Sequence, residues 1–245
     1  MTTVRVRFAK LGKIRWTSHR DVARMWERAF RRVGLPLAHT NGFSPRPKVS
    51  FGLALPTGHE SVAEYLDFEL AGGAELEVAS LPALLSAALP AGVDALAAMA
   101  ISDRAPSLQE EVSSCTWRVA VAAAGRSATV AAGELASSVE RVLDADRLVV
   151  TRLRKGAEVT DDVRPAILSI RLLDEPGHDS WLDCDLATRP RSLRPSELLA
   201  ALGPGLEERA VRRLHQWIER DGARWEPIPV PPAATDAPHA LERAS

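Results

Sequence analysis

Cysteine is nearly absent from this chain, with Cys115 and Cys184 its only two. Neither has a partner at ligand spacing, which excludes a disulfide framework, a zinc site of cysteine type and an iron–sulfur triad. Two lone thiols fit a reduced, cytoplasmic setting. No uncharged apolar run reaches the length needed to span a bilayer as a helix. The opening "MTTVRVRFAKLGKIRW" has no continuous apolar stretch, so a signal peptide is not expected. GxGxxG after a strand, GxxxxGK[ST], HExxH and GxSxG are all missing. The six histidines are scattered singly. No metal and no organic cofactor is expected.

What is present is length and a lopsided charge. A chain of 245 residues accommodates two domains with sizeable cores. Its net charge of −1 conceals an asymmetry. Residues 1–50 hold twelve cations against Asp21 and Glu27, a net of +10, so the remainder carries −11. Concentrated positive charge attracts polyanions, and a near-neutral total does not cancel a local field within about 10 Å of the surface. A solvated helix face is the plain alternative, and a cover of acidic residues from the second half is another.

The first half reads as β-α-β-loop-β-α-β. Residues 4–8, "VRVRF", alternate apolar and basic like a half-exposed strand. Ser18 caps a helix, with Asp21 completing the capping box. Val22, Met25, Trp26, Ala29, Phe30 and Val33 then form one apolar face, so Met25 and Trp26 are core residues. Gly34 and Pro36 end the helix. Segments 35–39, 63–70 and 93–101 read as strands, and 81–89 as a helix with Pro82 in its first turn. This is the split βαβ, or ferredoxin-like, pattern. Residues 103–112 look like a linker. Beyond them, strands at 116–122 and 148–154, a helix at 133–143 and a hairpin of 167–173 with 180–186 repeat the order. Segments 196–202 and 206–220 read as helical, and 224–227 as a closing strand. The expected fold is α+β: two tandem ferredoxin-like (βαββαβ) units over 1–105 and 106–228, then a disordered tail over 229–245, where Pro and Ala dominate without periodicity.

The chemistry gathers in the first sixty residues. "RWTSHRD" puts His19 and Arg20 at a helix N-terminus, which favours an anion such as phosphate. At 100° per residue Arg20, Arg24 and Arg31 fall on one stripe away from the apolar face. The loop "NGFSPRPKVSFG" over 41–52 interleaves Phe43, Arg46, Lys48 and Phe51, rings for bases and cations for phosphates. Pro45 and Pro47 stiffen it, so binding loses less entropy. Phe43 and Phe51 could equally anchor the loop to the core. A possible second site is Lys155, Asp162 and Arg164, where an ion pair fixing a turn is the plainer reading.

The stretch "VRFAKLGKIRWTSHRDVARMWERAFRRVGLPLAHTNGFSPRPKVSFGLALPTGHESVAEYLDFEL" resembles the start of the radical-SAM-associated (radical SAM-linked) protein family, a domain of unknown function. Its pattern runs R-x-x-F-x-K-x-G, S-H-x-D, R-A-x-R-R-x-G-L-P, G-F-x-P-x-P-K and G-x-x-S-x-x-E. "KG…DDVRPAI" resembles a later segment, and the likeness covers about residues 3–225. The resemblance implies an accessory of a radical SAM enzyme in its stand-alone form, tied to RNA or ribosome biology. The chain has no CxxxCxxC and no cobalamin domain, so it is not expected to perform radical chemistry. The leading expectation is a non-catalytic accessory protein binding RNA, or presenting a substrate, through Arg20, Arg24, Arg31, Phe43, Arg46, Lys48 and Phe51. One alternative is a metal-independent RNA-processing enzyme with His19 as base. A protein–protein scaffold is the other.

Overall fold

The structure is a computed structural model that describes the chain apart from residues 1, 73–75, 103–104, 124, 126–129, 131, 155, 175–179 and 229–245. Lys155 and the tail over 229–245 therefore lie outside the described residues, as does part of the 103–112 linker. The chain is mixed α and β, mostly sheet, and divides into two compact units. The first takes residues up to Glu111 together with the chain from Ile218 onward, and the second is Val112–Trp217.

The first unit runs β1 (Thr3–Lys10), a 3-10 turn (Gly12–Trp16), α1 (His19–Arg32), β2 (Val49–Phe51), β3 (Glu60–Glu69), α2 (Leu81–Ala88), β4 (Val93–Ile101) and a single turn, α3 (Leu108–Glu111). β1 lies between β4 and β3 and is antiparallel to both. β2 adds three residues to the other side of β3, also antiparallel. Segment 35–39, expected to be a strand, turns tightly at Pro36, where Leu37 N donates to Leu35 O, and pairs only by isolated bridges, Leu37 with Leu70 and His39 with Pro47.

α1 forms for the reasons the sequence suggests. Ser18 Oγ accepts from Asp21 N and its hydroxyl donates to the Asp21 carboxylate at 2.7 Å, so the cap forms with Asp21 held by the hydroxyl instead of the backbone N–H of a capping box. Val22, Trp26, Ala29 and Phe30 are buried along one face, and Met25 and Val33 pack beside them. Trp26 meets Phe8 edge-on at 5.0 Å, and Phe30 meets Phe68 at 5.1 Å, which seats the helix on β1 and β3. Gly34 then takes φ 67°, a left-handed turn that ends the helix without a Cβ clash.

β1 corrects the sequence reading. It was expected to be half exposed, yet Val4 through Lys10 are all buried. Its arginines are not surface charge. Arg5 donates from Nε and Nη2 to the two Asp67 oxygens at 2.8 and 2.9 Å, and its Nη1 lies 3.5 Å from Glu111. Burial works against the Arg5 charge, and the bonds to Asp67 with the nearby Glu111 outweigh it, holding its pKa above the usual value. Arg7 donates to Val62 O at 3.0 Å and to Glu226 at 2.6 Å, with its guanidinium 5.9 Å from the Tyr65 ring. An isolated buried guanidinium would be prohibitive, so these carboxylates are structural requirements.

The second unit contains β5 (Val112–Ala123), α4 (Ala132–Asp144), β6 (Val149–Arg154), β7 (Ala157–Asp162), β8 (Ile167–Leu173), β9 (Ser180–Ala187), α5 (Pro195–Leu202) and most of β10 (Leu206–Arg220). β10 continues into the first unit and there pairs with β11 (Ala223–Trp225). In the second unit the strands lie in the order β10-β5-β9-β8, while β6 and β7 form a separate hairpin.

β10 is the second correction, since 206–220 was expected to be helical. Leu206, Ala210, Val211, Leu214, Trp217 and Ile218 do recur at helical spacing. The polar Arg213 and Gln216, however, are as deeply buried as the apolar residues. Arg213 lies 4.7 Å from the Trp117 ring of β5, and Trp217 Nε1 donates to Thr116 Oγ1 at 2.7 Å. Cross-strand partners, absent from any local window, override the periodicity.

Two outcomes test this architecture. Asp67→Ala leaves the Arg5 charge without its bidentate partner and should lower unfolding stability by about 3–5 kcal/mol. Urea titration of Asp67→Ala and of Arg5→Met/Asp67→Leu reads this, and the double variant should recover much of the loss. Cys115 and Cys184 are both buried thiols, and burial first, then the flanking Asp183 and Asp185, pushes the Cys184 thiol well up. Both thiols should resist a thiol reagent in the native protein and react fully in urea.

Candidate nucleic-acid interface

The twelve cations of residues 1–50 separate into two populations. Arg5, Arg7 and Lys10 are 3% exposed or less. Lys48 pairs with Glu69 at 2.6 Å, Arg24 with Asp21 at 3.4 Å, and Arg32 donates to Ala88 O at 2.7 Å. Arg15 lies 3.6 Å from Glu60 and 5.4 Å from the Trp16 ring. Counted along the sequence as positive charge, seven of the twelve are instead buried or already engaged by a carboxylate or carbonyl. Lys13, Arg20, Arg28, Arg31 and Arg46 remain exposed, with no ion pair among the described residues. Part of the +10 is internal wiring, and the rest faces water.

The exposed part has a shape. Arg20, Arg24 and Arg31 sit on the outer face of α1, as its periodicity requires. The 41–52 loop runs beside the same helix. Pro47 and His39 share a groove with Glu27 and Arg31, and Phe51 lies 5.1 Å from the His19 ring, edge to face. The loop is closed at its neck: Thr40 N donates to Arg46 O at 2.8 Å, and Arg46 N donates to Thr40 Oγ1 at 3.1 Å. Phe43 stands at the tip and is fully exposed, whereas Phe51 packs against the core. The two aromatics have opposite fates. Phe51 anchors the loop, and Phe43 is presented.

A narrow cleft of ≈ 20 Å³, room for about one water, lies at the start of α1. Lys10, His19, Phe51, Glu64 and Tyr65 line it. Lys10 Nζ donates to Arg15 O at 3.2 Å and Thr17 O at 3.0 Å, and burial holds its pKa low against the opposing pull of Glu64. Burial pushes the Tyr65 phenol up. Sequence reasoning singled out His19 here and gave Lys10 and Glu64 no role. The signal was available, because K-x-G, S-H-x-D and S-x-x-E place these three residues in motifs far apart in the chain but adjacent in space.

The possible second site is structural in its described part. Asp162 accepts from Leu148 N at 2.9 Å and Arg164 N at 3.1 Å, which holds its carboxyl below the usual range. The Arg164 guanidinium donates to the carbonyls of Leu143, Ala145 and Ile167. That arrangement finishes α4 and starts β8. Among the described residues, no three His, Cys, Asp or Glu groups gather as metal ligands. No described helix is long and apolar enough to cross a membrane.

These features describe a mixed α/β protein with a stiff aromatic loop beside a cationic helix. The chain belongs to the family described as "Uncharacterized protein conserved in bacteria (DUF2344)", which matches residues 3–195. No curated protein matches it. Among solved structures it is similar to the crystal structure of a Cbf5-Nop10-Gar1 complex, with TM-score 0.48 and 13% identity over 87% of this chain and 48% of that chain. It is similar to the archaeal box H/ACA sRNP Nop10-Cbf5 complex, with TM-score 0.45 and 13% identity over 87% and 47%. An H/ACA RNP bound to a substrate RNA containing 2'-deoxyuridine gives TM-score 0.47 and 14% identity over 87% and 47%. The chain spans about half the length of each of these.

Proposed function

We propose that the protein is a binding module that holds single-stranded RNA, or a comparable phosphate-bearing substrate, for a radical SAM enzyme in the cytoplasm. The observation that carries the reading is the pairing of a fully exposed Phe43 on a closed loop with free guanidinium groups on the adjoining helix. Bases stack on an aromatic platform, and phosphates meet the cations alongside. The enzyme partner is supported by the sequence resemblance over residues 3–225. Two buried thiols, Cys115 and Cys184, fit a reducing compartment. The order β4-β1-β3 with β2 beyond β3 supports a ferredoxin-like reading of the first unit, and we extend it to the second.

The site residues do not weigh equally in this reading. Arg20, Arg31 and Arg46 meet phosphates, while Arg24 and Lys48 already have carboxylate partners. Phe43 stacks and Phe51 positions the loop. One observation favours a second reading: His19 shares its cleft with Lys10 and Glu64, so a His-based RNA cleavage without metal is the alternative.

Fluorescence anisotropy with a labelled single-stranded RNA over a salt series tests both. Affinity should fall with salt, and Arg20→Ala/Arg31→Ala/Arg46→Ala should flatten the slope of log affinity against log salt by about 2, near 0.7 per lost contact. Lys48→Ala should flatten it less than Arg46→Ala. Phe43→Ala should cost about 1–3 kcal/mol of affinity with the slope unchanged. His19→Asn should retain most affinity. RNA cleavage abolished by His19→Asn would establish the enzymatic reading instead, and binding indifferent to salt and to these variants would leave a scaffold.

A further inference from the structure

Beside the C-terminal half of α1 lies a groove of ≈ 270 Å³ lined by Glu27, Phe30, Arg31, Leu35, Leu37, His39 and Pro47. Phe30, Leu35, Leu37 and Pro47 give it apolar walls, and Glu27, Arg31 and His39 supply the polar groups. Glu27 and Arg31 are one helical turn apart, the spacing at which opposite charges ordinarily pair. No ion pair or hydrogen bond engages either side chain among the described residues. His39 is oriented differently. Its Nδ1 lies 3.0 Å from Leu37 O, so in the neutral ring Nδ1 carries the proton and Nε2 is left as an acceptor. The groove therefore combines apolar walls, a two-oxygen acceptor, a second acceptor and a planar cationic donor.

We infer that this groove takes a single guanine base of the bound RNA. The inference rests on the RNA-binding reading above and names the base recognised there. A base offers two apolar faces for walls of this kind. Guanine alone among the four common bases places two adjacent donors, N1–H and the N2 amino group, where one carboxylate can accept both, which suits Glu27. Arg31, one turn further along α1, stays free for a phosphate of the same strand, so the choice of base falls to Glu27. Uracil offers one donor between two carbonyls. Adenine and cytosine put a ring acceptor beside the amino group, which a carboxylate repels. Arg46, next to Pro47 in the chain and exposed, is the cation assigned to the phosphate of the same nucleotide.

The test compares oligouridine 12-mers with the same 12-mer carrying one central guanosine, by anisotropy at fixed salt. One guanosine should raise affinity by roughly 5- to 150-fold, the worth of one good bidentate contact, with the salt slope unchanged. Inosine at that position, lacking the N2 amino group, should lose most of the gain. Glu27→Gln removes a negative charge and can strengthen binding to any RNA, so the readout is the guanosine-to-uridine affinity ratio within each protein. That ratio should collapse towards one in Glu27→Gln. Equal affinity for both oligomers in the unaltered protein, with normal salt dependence, would overturn the groove assignment and leave the RNA-binding surface standing. A preference for guanosine that survives Glu27→Gln would also overturn it. Absence of salt-dependent binding to either oligomer would overturn the surface reading, and this inference with it.

Discussion

Two arginines buried in β1 set the terms for the rest of the first unit. A guanidinium removed from water is tolerated only with a carboxylate in contact and its remaining donors engaged. Arg5 obtains Asp67 from the neighbouring strand and Glu111 from the single turn that follows β4, and Glu111 also bonds Arg220 of β10. Arg7 obtains Glu226, which the chain delivers only after the whole second unit has been traversed. The first unit is therefore not a contiguous segment. Its electrostatic closure needs the residues from Ile218 onward, and the division of the chain follows that requirement.

The same constraint explains why charge counted along the sequence overstates charge at the surface. Positive residues crowd the first fifty positions, yet β1 turns part of them inward and carboxylates neutralise others. What remains outside is smaller and more specific: an arginine-bearing helix face, a loop tip with one bare aromatic ring, and a groove between them with an unpaired carboxylate. A merely solvated surface has no need to hold a phenylalanine in water at the end of a hydrogen-bonded loop.

How much of this could be read beforehand depended on whether the cause was local. α1 was fully legible, because its cap, its apolar stripe and its terminating glycine all lie within sixteen positions of one another. β4 and α2 were legible for the same reason. β10 was not, since Arg213 is buried against a tryptophan of another strand and no window around it shows this. The alternation in β1 was recognised and its meaning misread, because apolar-basic alternation looks identical whether the basic side meets water or carboxylates. In the site, His19 and the loop cations were visible from composition. Lys10 and Glu64 stand in motifs of the sequence but gain a role only when the fold brings them beside His19, and Glu27 and His39 carry no local signal.

The central claim is that the surface of α1 and the 41–52 loop is where RNA lies. Photocrosslinking to single-stranded RNA carrying 4-thiouridine, followed by mass-spectrometric mapping of the adducts, tests it most directly. Adducts should concentrate on Phe43 and its neighbours within the loop, with further ones on the outer face of α1, and should fade as salt is raised. Adducts confined to the second unit, or an RNA that crosslinks without touching the loop, would contradict the account.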